Sequence, residues 1–119
     1  MARIGAVTVP ASIQLTERDI LYRVDTAEAK LVIALNDSFV LEQIKNLKEK
    51  CPSIIDILIV GDGPQQQYQD FNREYIKYEE WKDYSGLANN DEMIIYFTSG
   101  TSGYPKMAIH NRTIPWDIL

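Results

Sequence analysis

The first half of this chain alternates short apolar segments of strand length with segments that have the periodicity of amphipathic helices. The apolar segments cover residues 4–9, 31–35 and 54–60, and they contain several β-branched side chains. Such side chains favour strands over helices. Strands that alternate with helices pair in parallel through right-handed crossovers, and the helices cover the faces of the sheet. The order of elements therefore predicts the α/β class, with a layered parallel sheet and flanking helices.

Capping residues mark where the two predicted helices begin. Thr16 stands three positions before Asp19, which gives an acidic variant of the capping box. The first helix is predicted to run to about Ala29. The second helix follows candidate caps at residues 36–38 and is stopped by Pro52. Its inner stripe is predicted to consist of Val40, Ile44, Leu47 and Cys51.

The length of 119 residues corresponds to one ordinary domain, and an apolar content of 45% is enough for a core. We therefore predict a single partial domain over residues 1–119. Residues 1–64 would form a βαβαβ core, and residues 65–92 would form a polar and aromatic helical connection. Residues 93–112 would form a strand, a loop and a returning strand.

The helical connection carries aromatic side chains at spacings of three or four. They are Tyr68, Phe71, Tyr75, Tyr78 and Trp81. This spacing indicates the packed face of an amphipathic helix, and the alternative is a surface on which bases stack. Glu79 and Glu80 are interpreted as a solvated face rather than as an acid and base pair, because adjacent helical residues point in different directions.

Charge and cysteine content limit the partners and the compartment. A net charge of -5 argues against a nucleic-acid partner, which would need clustered Lys and Arg. No segment has the length of a membrane-spanning apolar run, and residues 1–5 lack the regions of a signal peptide. The single cysteine, Cys51, excludes an intramolecular disulfide and is interpreted as a partly buried residue near a helix end, not as a nucleophile. We therefore expect a soluble, cytoplasmic protein.

One segment concentrates hydroxyls, glycines and an ammonium directly after an apolar strand. Its members are Thr98, Ser99, Gly100, Thr101, Ser102, Gly103, Tyr104, Pro105 and Lys106. Glycine lets backbone N–H groups turn toward an anion, and the hydroxyls and the ammonium add further donors. The segment is not a Walker loop, because Tyr-Pro separates Gly103 from the lysine and no hydroxyl follows. It also lacks the glycine spacing and the helix of a dinucleotide site. We predict a phosphate loop in a terminal β-hairpin, and the alternative is a flexible linker.

The run Thr-Ser-Gly-Thr-Ser-Gly-x-Pro-Lys after an aromatic strand end resembles the phosphate loop of the adenylate-forming enzymes, which include acyl-CoA synthetases and luciferases. Residues 5–11 and 15–23 are similar to the upstream segment of the medium-chain-type acyl-CoA synthetases. Met107, directly after the loop lysine, agrees with that branch. The whole chain is collinear with the family, as a fragment of its N-terminal domain.

The resemblance implies a two-step reaction that uses ATP, Mg²⁺ and coenzyme A. A carboxylate attacks the α-phosphate of ATP to give an acyl-adenylate and pyrophosphate, and the thiol of coenzyme A then displaces AMP. Residues 98–106 would hold the β and γ phosphates, with Lys106 neutralising the leaving pyrophosphate. The resemblance places no catalytic residue and no metal ligand in this chain. It also implies that the fragment is inactive alone, because the segments that bind adenine and ribose are expected beyond Leu119.

The alternative function is a non-catalytic α/β module that binds phosphate or a partner through a retained loop. Self-association is a further hypothesis, because strands that pair with later parts of a larger sheet would present open edges.

His110 is interpreted as structural, since a lone histidine on a returning strand has no evident catalytic partner. Arg112 is left open as a second group within reach of an anion.

Overall fold

The computed structural model describes residues 4–62, 67–80, 82, 86–99 and 103–113. Contacts between Cα atoms divide the chain into two compact units, one formed by Ala11–Glu79 and the other by Met1–Pro10 together with Glu80–Leu119. None of the helices in the described part of the chain has the length and apolar character needed to cross a membrane.

Among its described residues, the unit formed by Ala11–Glu79 contains four helices: α1 (Glu17–Thr26), α2 (Ser38–Ile44), α3 (Leu47–Lys50) and α4 (Phe71–Tyr75). The capping box predicted at the start of α1 is confirmed. The backbone N–H of Thr16 donates to Asp19 Oδ2 at 3.3 Å, and the N–H of Asp19 donates to Thr16 Oγ1 at 3.4 Å. At the start of α2, Asp37 Oδ1 accepts from the N–H groups of Phe39 and Val40 at 3.0 and 3.1 Å. These side chains satisfy backbone donors that the first helical turn leaves without intrahelical partners.

A parallel sheet of three strands lies in the same unit, in the order β1 (Leu31–Leu35), β2 (Asp56–Val60) and β3 (Gln69–Asp70). Leu31 lies opposite Asp56 and Leu35 lies opposite Val60, so β1 and β2 are paired over their whole length. The parallel sheet with flanking helices confirms the predicted α/β class. The short strand β3 was not predicted, since two polar residues give no strand pattern.

The core of this unit lies on one face of the sheet, between the strands and the helices. Ile57 and Ile59 of β2 are 1% and 0% exposed, and Val32 and Ala34 of β1 pack against the same cluster. The predicted inner stripe of the second helix is confirmed, because all four of its members are buried: Val40, Ile44, Leu47 and Cys51. That helix is nevertheless divided into α2 and α3, with a break before Leu47. Asn46 has non-helical backbone angles there, as the low helix propensity of asparagine allows.

The second unit is built on an antiparallel pair of strands, β4 (Glu92–Thr98) and β5 (Lys106–Asn111). The prediction of a buried strand at residues 4–9 is wrong. Thr8 alone forms a bridge, parallel to Ile94 of β4, while Ile4 and Val7 are 55% and 38% exposed. Gly5 has a φ of +75°, which breaks an extended run, and Pro10 has no N–H to continue a ladder.

The aromatic connection is less helical than its spacing predicts. The helix α4 ends at Tyr75 after five residues, and Tyr75 and Tyr78 are 59% and 75% exposed. The packed-face interpretation is therefore wrong for these two tyrosines, and Trp81 lies outside the described residues. Phe71 stacks on Tyr75 with a centroid distance of 5.8 Å, so local pairing replaces core packing. Glu79 and Glu80 are exposed, as expected for a solvated face.

Thr16→Ala is expected to lower the free energy of unfolding by about 1 kcal/mol, because the cap of α1 is lost. The Thr16 hydroxyl, which donates to Asp19 Oδ2 at 2.7 Å, holds the pKa of Asp19 below its ordinary value of 3.8. A lowered folded-state pKa contributes stability that is complete above the ordinary pKa and is lost as the pH falls through the folded pKa. The variant should therefore lose less stability than the parent chain on acidification.

Urea unfolding at neutral pH and below the ordinary aspartate pKa measures both effects of Thr16→Ala. The matched control is Thr26→Ala, since Thr26 is an exposed threonine in the last turn of the same helix. The effect of Thr26→Ala on the free energy of unfolding should be small and should be the same at both pH values. Equal losses in the two threonine variants would show that the cap does not stabilise α1.

Candidate functional site

The hairpin of β4 and β5 brings the two ends of the predicted phosphate loop together. Its register places Thr98 opposite Lys106, Phe97 opposite Met107 and Tyr96 opposite Ala108. The predicted strand, loop and returning strand are therefore confirmed as a hairpin. Thr98 is the last residue of β4 and Lys106 is the first of β5, so the predicted loop lies between the two strands in the sequence.

The described part of the loop presents its polar groups to solvent. Ser99 and Lys106 are exposed, Tyr104 is 52% exposed, and Pro105 is half-buried. Gly103 has a φ of +102°, a region that glycine enters without the steric cost that a Cβ brings. Gly100, Thr101 and Ser102 belong to the predicted site but lie outside the described residues.

The Thr98 hydroxyl is engaged within the hairpin. Thr98 Oγ1 donates to the carbonyl oxygen of Lys106 at 3.3 Å, which joins the first and last residues of the site. In this geometry the hydroxyl proton closes the base of the loop, and donation to a phosphate requires that this long hydrogen bond be exchanged. The expected role of Thr98 as a hydrogen-bond donor to a phosphate thus competes with its role in holding the two ends of the loop together.

Thr8 supports the strand that leads into the loop. Its N–H donates to the Met93 carbonyl at 3.0 Å, and its carbonyl accepts from the N–H of Ile95 at 2.9 Å. Ile95 is 6% exposed and anchors β4 in its unit. Sequence reasoning missed this contact, because an isolated bridge leaves no periodic pattern. The only available signal was a β-branched residue near a proline.

His110 and Tyr96 meet on the hairpin face that also carries Lys106. Their rings contact edge to face, with a centroid distance of 5.8 Å and an interplanar angle of 77°. Side chains alternate along a strand, so Lys106, Ala108 and His110 share one face of β5. His110 is exposed and its described ring contact is an aromatic one, which agrees with the structural interpretation. Arg112 is half-buried, and its backbone N–H donates to the Asp91 carbonyl at 3.2 Å.

Cys51 lies at the end of α3 in the other unit, beside a shallow depression lined by Leu21, Tyr22, Asp25 and Lys50. Cys51 is buried, with 6% of its surface exposed. Burial, and to a smaller extent the charge of Asp25, raises the pKa of Cys51 above its ordinary value. A thiol that resists ionisation is a poor nucleophile, so the predicted structural role agrees with this environment.

The chemistry of the loop suits an anion. Three described residues offer hydrogen-bond donors. Ser99 has a hydroxyl and Lys106 has an ammonium. The backbone of Gly103 has a conformation that can direct an N–H group outward. In the part of the chain that the structure describes, no three His, Cys, Asp or Glu side chains come together as metal ligands. An anion such as a phosphate is thus the class of ligand that suits these donors.

The sequence profile described as AMP-binding enzyme matches residues 1–113, which include both strands and the whole loop. This chain belongs to the AMP-binding enzyme family. The predicted phosphate loop therefore belongs to a family that is described as binding AMP.

Curated relatives of this AMP-binding family chain include mitochondrial acyl-coenzyme A synthetases. The chain is 34% identical over 110 residues to the mitochondrial acyl-coenzyme A synthetase ACSM4 of Mus musculus. It is 34% identical over 111 residues to the mitochondrial acyl-coenzyme A synthetase ACSM1 of Homo sapiens. Each alignment covers 92% of the chain and 19% of the relative, so the chain spans about a fifth of the length of these proteins.

Solved structures with the same fold include the anthranilate CoA ligase AuaEII in complex with anthranoyl-AMP. The chain matches it with a TM-score of 0.82 and 24% identity, over 92% of this chain and 21% of that one. The luciferase-like enzyme of the nonluminescent mealworm Zophobas morio matches with a TM-score of 0.74 and 19% identity, over 92% of this chain and 25% of that one. This AMP-binding family chain thus shares its fold with part of each of these two proteins.

Gly103→Ala is expected to destabilise the loop unit by about 1–3 kcal/mol, because alanine at a φ of +102° is strained. The matched control is Gly86→Ala, in the same unit, where the glycine does not have a φ in the left-handed region. Thermal unfolding of both variants provides the measurement. Equal changes in melting temperature would show that the positive φ of Gly103 carries no special cost.

Proposed function

We propose that this chain is the part of an AMP-forming acyl-CoA synthetase that holds the β and γ phosphates of ATP. The observation that carries the proposal is the hairpin base, where Thr98 and Lys106 pair across a loop that contains Gly103 at a positive φ. This base holds the backbone of Lys106 at the end of the loop, and the exposed lysine side chain extends from it. Membership of the AMP-binding family and the acyl-coenzyme A synthetase relatives support the same assignment.

In the proposed reaction of the complete enzyme, a carboxylate oxygen attacks the α-phosphorus of ATP. The bond to the bridging oxygen breaks and pyrophosphate leaves, which gives an acyl-adenylate. The thiol of coenzyme A then attacks the acyl carbon and AMP departs. Lys106 is proposed to offset the charge that gathers on the leaving pyrophosphate, and the Ser99 hydroxyl is proposed to orient it. Fixed donors of this kind act by positioning and by charge stabilisation.

Mg²⁺ is proposed to enter the site with the nucleotide. Among the described loop residues there is no carboxylate or imidazole to ligate a cation, whereas the phosphate oxygens of ATP do so. When bound, the cation would neutralise part of the phosphate charge. The task of Lys106 is then to hold the phosphate chain in the orientation set by the hairpin.

The 119-residue chain alone is proposed to bind phosphates weakly and to be inactive in acyl activation. It spans about a fifth of the relatives, and it supplies few contacts to offset the entropy of ordering a nucleotide. A non-catalytic phosphate-binding or partner-binding module is the alternative.

We propose that the protein is located in the cytoplasm, because the single cysteine of the chain fits a reducing compartment. The acyl-coenzyme A synthetase relatives are mitochondrial proteins, so fractionation of cells that express the complete protein tests this proposal.

Calorimetry with pyrophosphate, ATP and AMP tests the phosphate assignment on the chain as it stands. Pyrophosphate and ATP are expected to bind with millimolar affinity, and AMP, which lacks β and γ phosphates, is expected to give no heat. Lys106→Ala should abolish the heat, while Lys82→Ala should retain it because Lys82 is an exposed lysine of the same unit outside the loop. Equal binding of AMP, or equal losses in the two variants, would contradict the proposal.

A further inference from the structure

The predicted phosphate loop begins and ends at two residues that face each other across the hairpin. Thr98 of β4 lies opposite Lys106 of β5, and this is the last pair of the ladder among the described residues. From Ile94 to Thr98 the two strands pair without a register shift. Side chains of directly opposed residues lie on the same face of a sheet. The Thr98 side chain therefore lies beside the backbone from which Lys106 extends.

The Thr98 hydroxyl adds a side-chain hydrogen bond to this last pair. Thr98 Oγ1 donates to the carbonyl oxygen of Lys106 at 3.3 Å. A hydroxyl has one proton to donate, so in this arrangement it offers only lone pairs to any other group. The oxygens of an ionised phosphate are acceptors as well. A hydroxyl that is engaged with the Lys106 carbonyl is thus not a donor to a phosphate.

Threonine suits a fixed link at this position. It is β-branched, so its χ1 angle has few accessible rotamers in a strand. Both partners of the hydrogen bond belong to one hairpin of this chain, so the contact needs no other part of a longer protein. The carbonyl that accepts the hydrogen bond belongs to the same residue whose ammonium is proposed to contact the pyrophosphate. A change at Thr98 therefore reaches the lysine directly.

We propose that Thr98 is a positioning residue of the adenylation step: its hydroxyl holds the Lys106 backbone at the base of the loop and does not donate to the β or γ phosphate. This role rests on the proposed function, because Thr98 acts through the ammonium of Lys106. It differs from the role that the family resemblance implies, in which Thr98 is one of the residues that hold the phosphates. Ser99 is then the first described residue of the loop that contacts them.

A double-mutant cycle in the complete synthetase tests this role, with exchange of labelled pyrophosphate into ATP as the readout. Thr98→Val keeps the branched shape and removes the hydroxyl. It is expected to lower the maximal exchange rate by about three- to tenfold, which corresponds to the loss of one neutral hydrogen bond. In the Lys106→Ala background the same substitution should lower the rate by less than about twofold, because the group that it positions is gone. Thr98→Ser, which keeps the hydroxyl, should restore most of the rate.

Thr113→Val is the matched control, since Thr113 is an exposed threonine of the same unit whose hydroxyl donates to Asn111, at the end of β5 far from the loop. It should leave the rate of each background unchanged. An equal loss from Thr98→Val with and without Lys106, or no loss in either, would overturn the positioning role and leave the phosphate role of Lys106 intact. No loss from Lys106→Ala would overturn both.

A crystal structure of the complete enzyme with ATP bound tests the same contact without any substitution. Thr98 Oγ1 is expected within hydrogen-bond distance of the Lys106 carbonyl oxygen, with no phosphate oxygen equally close. A hydroxyl that has turned from the carbonyl to a phosphate oxygen would overturn the proposal, whatever the stability of Thr98→Val.

Discussion

Lys106→Ala is expected to slow formation of the acyl-adenylate by about a hundredfold in a complete synthetase that contains this chain. The lysine begins β5 at the base of the loop, opposite Thr98, and its side chain is exposed. Because the hairpin holds the backbone on both sides, it fixes the point from which the lysine side chain extends, and the ammonium is proposed to reach the pyrophosphate from there. Loss of one such preorganised donor typically raises a barrier by about 2.7–4 kcal/mol.

Exchange of labelled pyrophosphate into ATP, measured with the carboxylate present, reports this step directly. Lys106→Ala should lower the maximal exchange rate more than it changes the concentration of carboxylate needed for half-maximal rate. This is expected because the lysine is proposed to contact the phosphates rather than the carboxylate. Lys82→Ala should leave both quantities unchanged. A variant that retains full exchange activity would remove Lys106 from the proposed phosphate contacts.

Lys106→Arg separates charge from shape at the same position. Arginine keeps the positive charge but presents it as a planar fork on a longer side chain. If Lys106 acts as a compact charge held by the hairpin, the arginine variant should recover part of the lost rate. Recovery equal to that of the parent would show that charge alone suffices, whereas no recovery would indicate that the lysine geometry is required.

Local signals in the sequence predicted the elements that depend on local chemistry. The capping box at Thr16 and the cap at Asp37 appear as hydrogen bonds in the structure. The hairpin on either side of the loop was also predictable. The sequence has an apolar strand, then a glycine-rich segment and then a second strand-like segment, and two strands joined by a short loop usually pair as an antiparallel hairpin. The same segment carried the family resemblance.

The elements that were mispredicted depend on contacts distant in sequence. Residues 4–9 have the composition of a strand, yet Thr8 alone pairs, with a strand more than eighty residues later. In α4, aromatic spacing predicted a long packed helix, but Tyr75 and Tyr78 remain exposed. Periodicity reports which residues share a face, and it does not report whether another element covers that face.

Ile59→Ala is expected to lower the free energy of unfolding by about 2–5 kcal/mol, the other large effect in this chain. Ile59 lies in β2, the middle strand of the sheet, and is 0% exposed in the cluster that also contains Ile57, Ile44 and Leu47. Its removal takes away apolar contacts and leaves a cavity that strands paired on both sides cannot readily close. Since domains of this size are typically stable by about 5–15 kcal/mol, a large share of the stability of this unit would be lost.

Ile55→Ala removes the same atoms from a side chain that is 76% exposed four positions earlier, so it is the matched control for Ile59→Ala. Its effect is expected to stay within about 0.5 kcal/mol, because surface substitutions rarely disturb packing. Urea unfolding of both variants and of the parent chain under the same conditions provides the comparison. Similar losses for the two isoleucines would mean that the face of β2 toward the helices does not form the core, and the layered α/β arrangement would need revision.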